Sequence, residues 1–205
     1  MAGKRTTRRR ATVVLVTGFE PFGEIADNPS ELIARALDGH RLAGARIVAR
    51  VLPVSLTRIE SAVRDALHAT RPDLVLALGV ARATRAVRIE RRAVNRADFV
   101  VPDNDGAQAI ESVLDPTGPS SRTTRLPLKR LGRAVRQARI AARHSHDAGA
   151  YLCNAGYYAL LGRRTPCVLL HLPPLGVMPL RAQRRAVDAI LSAIVSYAGG
   201  RGPSG

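Results

Sequence analysis

The chain has 205 residues and a mass of 22.0 kDa, a length that suits one domain with a sizeable hydrophobic core. Its two cysteines, Cys153 and Cys167, are too few for a disulfide framework and lack the spacing of zinc ligands, so we expect a reducing, cytoplasmic compartment. No apolar run approaches the roughly 18 residues of a membrane span, and no leader-like apolar segment precedes the first strand. We therefore expect no membrane association.

The net charge of +16 would ordinarily favour a nucleic-acid partner. Arginines are scattered through the predicted helices, however, and aromatic residues make up only 3% of the chain, so no stacking platform accompanies the positive charge. The composition is typical of a codon bias toward arginine. We expect no specific nucleic-acid partner, and we interpret residues 1–10, which contain the densest basic cluster, as a disordered arm.

Strand-like and helix-like patterns alternate along the chain. In order, they are a strand at 12–17, a helix at 30–37, a strand at 46–52, a helix at 55–69, a strand at 73–78, a helix at 128–142, a strand at 166–172 and a helix at 178–197. This alternation predicts a single α/β domain over residues 11–198, in which a largely parallel, mixed sheet lies between two helical layers, α/β/α. We expect a flexible tail at 199–205.

Two stretches interrupt this alternation. Residues 87–101 alternate polar and apolar side chains with β-branched residues, which predicts antiparallel strands added to the sheet. Residues 102–125 are rich in Asp, Gly, Pro, Ser and Thr, which predicts a long surface loop of the kind that often serves as a lid or insertion.

A Gly-Phe-Glu-Pro-Phe-Gly motif at residues 18–23 follows the first strand, and Asn28-Pro29-Ser30 comes shortly after it. Open α/β sheets place ligands at this edge, where Phe19 and Phe22 could wall a small apolar slot. Alternatively, both rings belong to the core and Asn28 only caps the next helix. Because no GxGxxG or GxxxxGK[ST] motif is present, nucleotide binding is not supported, and we expect no cofactor and no metal.

Cys153 stands where a strand-like segment gives way to a helical pattern. Peptide dipoles and unpaired N–H groups at a helix start stabilise a thiolate, which suits a nucleophile. His171 follows eighteen residues later, inside an apolar strand. The pair predicts a Cys-His enzyme, whereas Cys167, within an apolar run, is interpreted as a buried small residue.

Several motifs occur together in a characteristic order. Glu90, beside arginines, would by itself be interpreted as a solvated charge on a strand edge. Its motif Glu-Arg-x-Ala-x-Asn is joined, however, by Gly-Phe-Glu-Pro-Phe-Gly, Asn-Pro-Ser, Pro-Asp-Asn-x-Gly, Cys-Asn-x-x-x-Tyr-x-Leu and His-x-Pro. In this order and spacing, they closely resemble the pyroglutamyl peptidase I family of cysteine peptidases. The resemblance covers residues 13–198.

The resemblance implies a catalytic triad and a substrate. Cys153 corresponds to the nucleophile, His171 to the base, and Glu90 to the residue that orients the imidazole. The substrates implied are small peptides with an N-terminal pyroglutamyl residue, and a homodimer or homotetramer is expected. The positions implied for binding or supporting the substrate are Phe19, Phe22, Asn28, Val80 and Leu152.

The sequence departs from the family at two places. The family usually has Gly-Gln-Ala-Gly-Gly-Arg where residues 79–85 read Gly-Val-Ala-Arg-Ala-Thr-Arg, so Arg82 and Ala83 add bulk in place of glycines. Val100 stands where the family tends to carry an arginine. These departures leave two alternatives to the leading prediction: a Cys-dependent amidase for another small cyclic or acyl amide, and a non-catalytic binding protein on the same fold.

Overall fold

The apolar runs of the sequence form the inner strands of a seven-stranded sheet in the computed structural model, which describes residues 10–200. The strands of the chain are β1 Val13–Phe19, β2 Arg41–Leu42, β3 Ala45–Leu52, β4 Leu74–Val80, β5 Val87–Glu90, β6 Arg92–Val94, β7 Ala97–Phe99, β8 Ala109–Ser112, β9 Ser121–Thr123, β10 Ala142–Ser145 and β11 Cys167–Leu172. The helices are α1 Pro29–Leu37, α2 Ile59–Thr70, α3 Leu128–Gln137, α4 Leu152–Leu161 and α5 Leu180–Gly200.

The central sheet has the strand order β10-β5-β11-β4-β1-β3-β2. Neighbours are parallel except for β5 beside β11 and β2 beside β3. Every residue of β1, β4 and β11 is buried, as expected for strands that are covered on both faces. The predicted fold class, a three-layer α/β/α domain with a mixed, largely parallel sheet, is confirmed.

Two hydrophobic clusters fill the spaces between the sheet and its helices. Helices α1, α3 and α5 cover one face, and α2 and α4 cover the other. Helices α2 and α5 each bury an apolar face against the sheet, for example through Val63 in α2 and Ile190 in α5. No helix within residues 10–200 is long and apolar enough to cross a membrane.

The structure shortens two of the predicted helices by several residues. The helix predicted at 128–142 ends at Gln137, since Arg139 has a left-handed φ of 58° and residues 142–145 pair with β5 as β10. The Ala- and Arg-rich sequence has good helix propensity throughout, but pairing with the sheet overrides that propensity. The helix predicted from residue 55 begins at Ile59, because the Ser55 hydroxyl accepts from the Arg58 N–H in a preceding turn.

The segments outside the central sheet are partly regular. Residues 87–101 form three strands, of which β5 joins the sheet while β6 and β7 pair with β9 and β8 in separate antiparallel ribbons. The predicted loop at 102–125 therefore contains two short strands. Helix α5 extends to Gly200, into the predicted tail, and Arg10 forms an ion pair with Asp73; the rest of the predicted arm and tail, residues 1–9 and 201–205, lies outside the described residues.

Candidate active site

Three strands bring the candidate residues to one place beside α4. His171 in β11 is the register neighbour of Gly79 in β4 and of Arg88 in β5, and Glu90 is opposite Leu169. Because directly opposed residues of an antiparallel pair point to the same face, Arg88, Glu90 and His171 share one side of the sheet. This is the side that α4 covers, so the strands aim both predicted partners at the helix that carries Cys153.

Glu90 and His171 form a buried pair. The imidazole Nδ1 lies 2.8 Å from Oε1 of Glu90, and the two side chains are 4% and 0% exposed. Burial lowers the pKa of His171, but hydrogen bonds with Cys153 and Glu90 outweigh it and raise the pKa to about 9. With Nδ1 engaged, Nε2 is the ring nitrogen left for the thiol. Glu90 is therefore a buried partner of an imidazole and not the solvated edge charge that its sequence neighbours indicate.

Cys153 is the second residue of α4, as the sequence predicts, and is buried. Within residues 10–200, no acceptor lies opposite the backbone N–H groups of Leu152, Cys153 and Asn154, and Tyr151 gives no side-chain cap. These groups and the helix dipole favour negative charge at the sulfur and beside it. The prediction of a strand-like segment just before the cysteine is wrong. Strand β10 ends at Ser145, and an irregular segment follows in which Gly149 has a φ of 77°.

Gly79 allows the thiol and the imidazole to lie together. A Cβ at this position would be 2.7 Å from Sγ of Cys153 and 3.2 Å from Cδ2 of His171. The sulfur and the ring therefore both pack directly against the backbone of β4. Any larger residue would push one of them away, so this glycine is required by close approach and not by backbone conformation.

Two residues that the sequence analysis left without a role hold α4 in place. The Asn154 side chain accepts from the N–H of Val94 at 2.9 Å and donates to the carbonyl groups of Val94 and Arg96. The Tyr157 hydroxyl donates to the backbone carbonyl of Glu90 at 3.0 Å. Asn154 belongs to the Cys-Asn-x-x-x-Tyr-x-Leu motif, which was the available signal for it, whereas Tyr157 occupies a variable position of that motif and had no such signal.

The residues predicted to bind substrate occupy different positions. Phe19 is buried, with its Cζ 3.3 Å from the point that a Cβ on Gly156 would occupy. Phe22 is half-buried and stacks near Tyr151, the residue that precedes α4, at 5.5 Å between ring centroids. Val80 and Leu152 are buried neighbours of Gly79 and Cys153 in the chain. Thus Phe22 lies beside the residue that precedes α4, whereas Phe19 is buried against Gly156 within α4.

Asn28 braces the loop that carries both phenylalanines. Its Oδ1 accepts from the backbone and the hydroxyl of Ser30, and its Nδ2 donates to the Glu20 carbonyl at 3.0 Å. It therefore caps α1 and supports the loop at once. Gly18 allows α1 to start so close, because a Cβ there would lie 2.3 Å from the Ser30 carbonyl oxygen.

The Pro-Asp-Asn motif frames the same loop from the other side. Asn104 donates to Oε1 of Glu20 at 2.9 Å and to the carbonyl of Pro21 at 2.8 Å. Oδ2 of Asp103 accepts from the N–H of Leu56 at 2.8 Å. The motif thus ties the segment after β1 to the segment before α2.

The two departures lie at the surface. Arg82 forms an ion pair at 2.8 Å with Glu24, which lies in the loop after β1, and the Arg82 side chain is 52% exposed. Val100 is 69% exposed.

In residues 10–200, the one cation paired with Glu90, Cys153 or His171 is Arg88, whose Nε lies 3.0 Å from Oε1 of Glu90. No cluster of three or more His, Cys, Asp or Glu side chains suited to a metal occurs in that range.

Comparison with known proteins agrees with this architecture. The model of the family described as pyroglutamyl peptidase matches residues 12–171. Pyrrolidone-carboxylate peptidase of Yersinia pestis (strain Pestoides F) is 41% identical over 150 residues, which are 73% of this chain and 70% of that protein.

Two solved structures show the same fold. Pyrrolidone carboxyl peptidase from Thermococcus litoralis superimposes with a TM-score of 0.88 at 31% identity, covering 92% of this chain and 96% of the other. The enzyme from Thermus thermophilus gives 0.83 at 38% identity, covering 88% and 99%.

Together, the fold, the placement of the cysteine and these relatives define an α/β cysteine peptidase. The family model spans most of the described chain, and the match to the Yersinia relative covers 73% of the chain. The chain belongs to the pyroglutamyl peptidase family.

Proposed function

We propose that the protein is a cysteine exopeptidase that hydrolyses the amide bond after an N-terminal pyroglutamyl residue, with Cys153 as nucleophile, His171 as base and Glu90 as the group that orients the imidazole. The observation that carries the proposal is the buried contact of 2.8 Å between His171 and Glu90, with the ring packed against the same Gly79 as the sulfur of Cys153. Family membership supplies the substrate class.

The reaction would proceed through a thioester. Sγ of Cys153 first gives its proton to Nε2 of His171, and the thiolate of the resulting ion pair attacks the carbonyl carbon of the pyroglutamyl residue. The tetrahedral intermediate places its oxyanion at the start of α4, where backbone N–H groups are free to donate. Collapse breaks the C–N bond, and His171 gives its proton to the departing amine. Water then attacks the thioester with His171 as base, which releases pyroglutamate and restores the thiol.

The charges of the site suit this sequence of proton transfers. With its pKa raised to about 9, His171 is mostly protonated at pH 7, which favours an imidazolium beside a thiolate. The Glu90 carboxylate stabilises that imidazolium and holds the tautomer in which Nε2 faces the sulfur. It does not itself accept the proton.

The neutral, flat pyroglutamyl ring matches a small apolar site. Phe22 and Tyr151 offer ring faces beside the start of α4, and Phe19 is buried nearby against Gly156 of the same helix. Val80 and Leu152 flank the thiol and would present backbone groups to the ring amide. The half-buried aromatic pair is the feature that supports a slot at this point.

A Cys-dependent amidase for another small cyclic or acyl amide is the second candidate. It is favoured by Arg82, which replaces a family glycine and pairs with Glu24 in the loop after β1, and by Val100, which replaces a family arginine. A non-catalytic binding protein is disfavoured because the cysteine, the histidine and the carboxylate are all present. The oligomeric state and the cytoplasmic location remain predictions, and sedimentation velocity would measure the first.

The deciding experiment compares pyroglutamyl, prolyl and alanyl amides of one chromogenic amine. The proposal expects hydrolysis of the pyroglutamyl amide alone, and loss of that hydrolysis in Cys153→Ser but not in Cys167→Ser. Hydrolysis of a different small amide by the same thiol would favour the second candidate. No hydrolysis of any amide by the folded protein would favour the binding protein.

A further inference from the structure

Glu90 has a second charged partner besides the imidazole. Nε of Arg88 lies 3.0 Å from Oε1, the oxygen that also contacts Nδ1 of His171. The Arg88 side chain is 21% exposed and Glu90 is 0% exposed. One carboxylate oxygen thus lies between an imidazole and a guanidinium; the contact with the guanidinium is an ion pair, and neither Nε of Arg88 nor Oε2 of Glu90 has a hydrogen-bond partner. The charge of this buried carboxylate is therefore balanced largely through a single atom.

The far end of the same guanidinium is anchored to the turn that leads into α4. Nη2 of Arg88 donates to Oγ of Ser145 at 2.7 Å and to the backbone carbonyl of Asp147. Oγ of Ser145 also accepts from the N–H of Asp147 at 3.2 Å. Ser145 is the register neighbour of Glu90 across β10 and β5. Arg88 therefore connects Glu90 with the chain segment that positions Cys153.

We propose that Arg88 is a positioning residue, which acts through Glu90 to keep the carboxylate ionised and oriented toward His171. The inference rests on the proposed function, because Glu90 and His171 matter for activity only if Cys153 is the nucleophile. A buried carboxylate is costly unless it is paired, and a guanidinium is charged at every accessible pH. The neutral form of His171 does not supply a countercharge, so Arg88 supplies one throughout the cycle.

The electrostatic consequence has a definite sign. Without the guanidinium, Glu90 stabilises the His171 imidazolium less well, and that imidazolium is the partner of the thiolate, so the pH at which Cys153 is alkylated should rise. The titratable or charged groups that face this cluster come from β5, β10, β11, α4 and the turn before α4. They are Arg88, Glu90, Arg143, Asp147, Cys153, Tyr157 and His171. Among them, Arg88 is the fixed cation in contact with Glu90.

The test uses the rate at which iodoacetamide alkylates Cys153, measured across pH and located by peptide mapping. Arg88→Gln removes the charge while keeping a hydrogen-bonding side chain, and its alkylation profile should move to higher pH by about one unit. Arg88→Lys retains the charge and should restore the profile to within a few tenths of a unit. The kcat/KM for a pyroglutamyl amide at pH 7 should fall about tenfold in Arg88→Gln, which is the same shift expressed as a rate.

Arg92→Gln is the matched control. Arg92 lies on β6 and donates to the carbonyl of His146 in the same turn, at 2.8 Å, but has no contact with Glu90. Its profile should match that of the wild type. If Arg88→Gln lowers the alkylation rate without moving the profile, or if Arg92→Gln moves it equally, Arg88 only anchors the turn and the proposal is wrong.

A second comparison covers the case in which Arg88→Gln does not fold. Glu90→Gln is compared with the double variant Arg88→Gln/Glu90→Gln, in which no carboxylate is left unpaired. Since Arg88 acts through Glu90, the two profiles should differ by less than half of a unit, and a full unit would overturn the proposal. Alkylation needs no substrate, so a shifted profile in a protein that hydrolyses no pyroglutamyl amide would refute the proposed function and leave the role of Arg88 standing.

Discussion

The two cysteines lie in regions that make opposite use of the same side chain. Both are buried, Cys153 at 6% and Cys167 at 2% exposure. Cys153 stands at the start of α4 with free N–H groups and an imidazole nearby, whereas Cys167 begins β11 among apolar neighbours, and burial raises its pKa to about 12. The comparison teaches that burial alone does not decide the reactivity of a thiol. Donors and charges that face the sulfur decide it.

The largest expected effect is the difference between the two serine variants. Cys153→Ser should reduce kcat/KM for a pyroglutamyl amide by about 10³-fold or more, because a hydroxyl in this place is a far weaker nucleophile. Cys167→Ser should retain activity to within about twofold. Steady-state kinetics on variants with wild-type circular dichroism would measure both. Comparable losses in the two variants would remove the functional distinction between the regions.

The histidine and the carboxylate should differ in the same assay. His171→Ala removes the proton carrier and should cost about 10³-fold, while Glu90→Gln keeps the size of the side chain and should cost about 10- to 100-fold. Unchanged activity in a folded Glu90→Gln variant would show that the buried pair is structural only.

Chemical labelling should separate the cysteines by on the order of 100-fold in rate. With a pKa of about 12, Cys167 is almost wholly protonated at pH 7, so iodoacetamide should modify Cys153 first. Peptide mapping after short exposure would measure the ratio. Faster modification of Cys167 would show that Cys167, and not Cys153, is the reactive thiol.

Gly79→Ala tests the same comparison without replacing any of the three proposed catalytic residues. The new Cβ would lie 2.7 Å from Sγ of Cys153, so the thiol or the imidazole must shift, and kcat/KM should fall by up to about 100-fold. Gly176→Ala is the control, since a Cβ there meets nothing within 4 Å. Equal activity of both variants would mean that the sulfur has room to move.

The smallest expected effect is a displacement of the pH profile. The Glu90 carboxylate helps to raise the pKa of His171 to about 9, and the protonated ring is needed to give a proton to the leaving amine. Activity should therefore fall as pH rises through about 9. In Glu90→Gln the loss of negative charge lowers the pKa of His171, so this alkaline limb should move to lower pH by about one unit. If the alkaline limb lies at the same pH in both proteins, His171 is not the group whose titration produces it.

The sequence alone predicted the alternation of strands and helices, the α/β class and the helix start at Cys153. Those predictions depend on local patterns. Apolar runs indicate strands that are buried on both faces, and a 3.6-residue period indicates helices. A set of short motifs in a fixed order indicates the site. The motifs also pointed to Glu90 and His171. Local patterns were a poor guide near the end of the helix predicted over 128–142, which stops at Gln137, and at residues 142–145, where no strand was predicted although they pair with β5.

Tertiary structure decided how these residues work together. Glu90 is next to arginines in the sequence, a pattern that predicts a surface charge. The pairing of β5 with β11 nevertheless buries Glu90 against His171. The two phenylalanines of one motif have different surroundings, since Phe19 packs in the core and Phe22 lies beside Tyr151. The contact of Arg88 with Glu90 and the fit of Gly79 beneath Cys153 depend on strand register. Periodicity determines which residues a strand or helix buries, but only the packing of distant segments determines which charges and atoms meet.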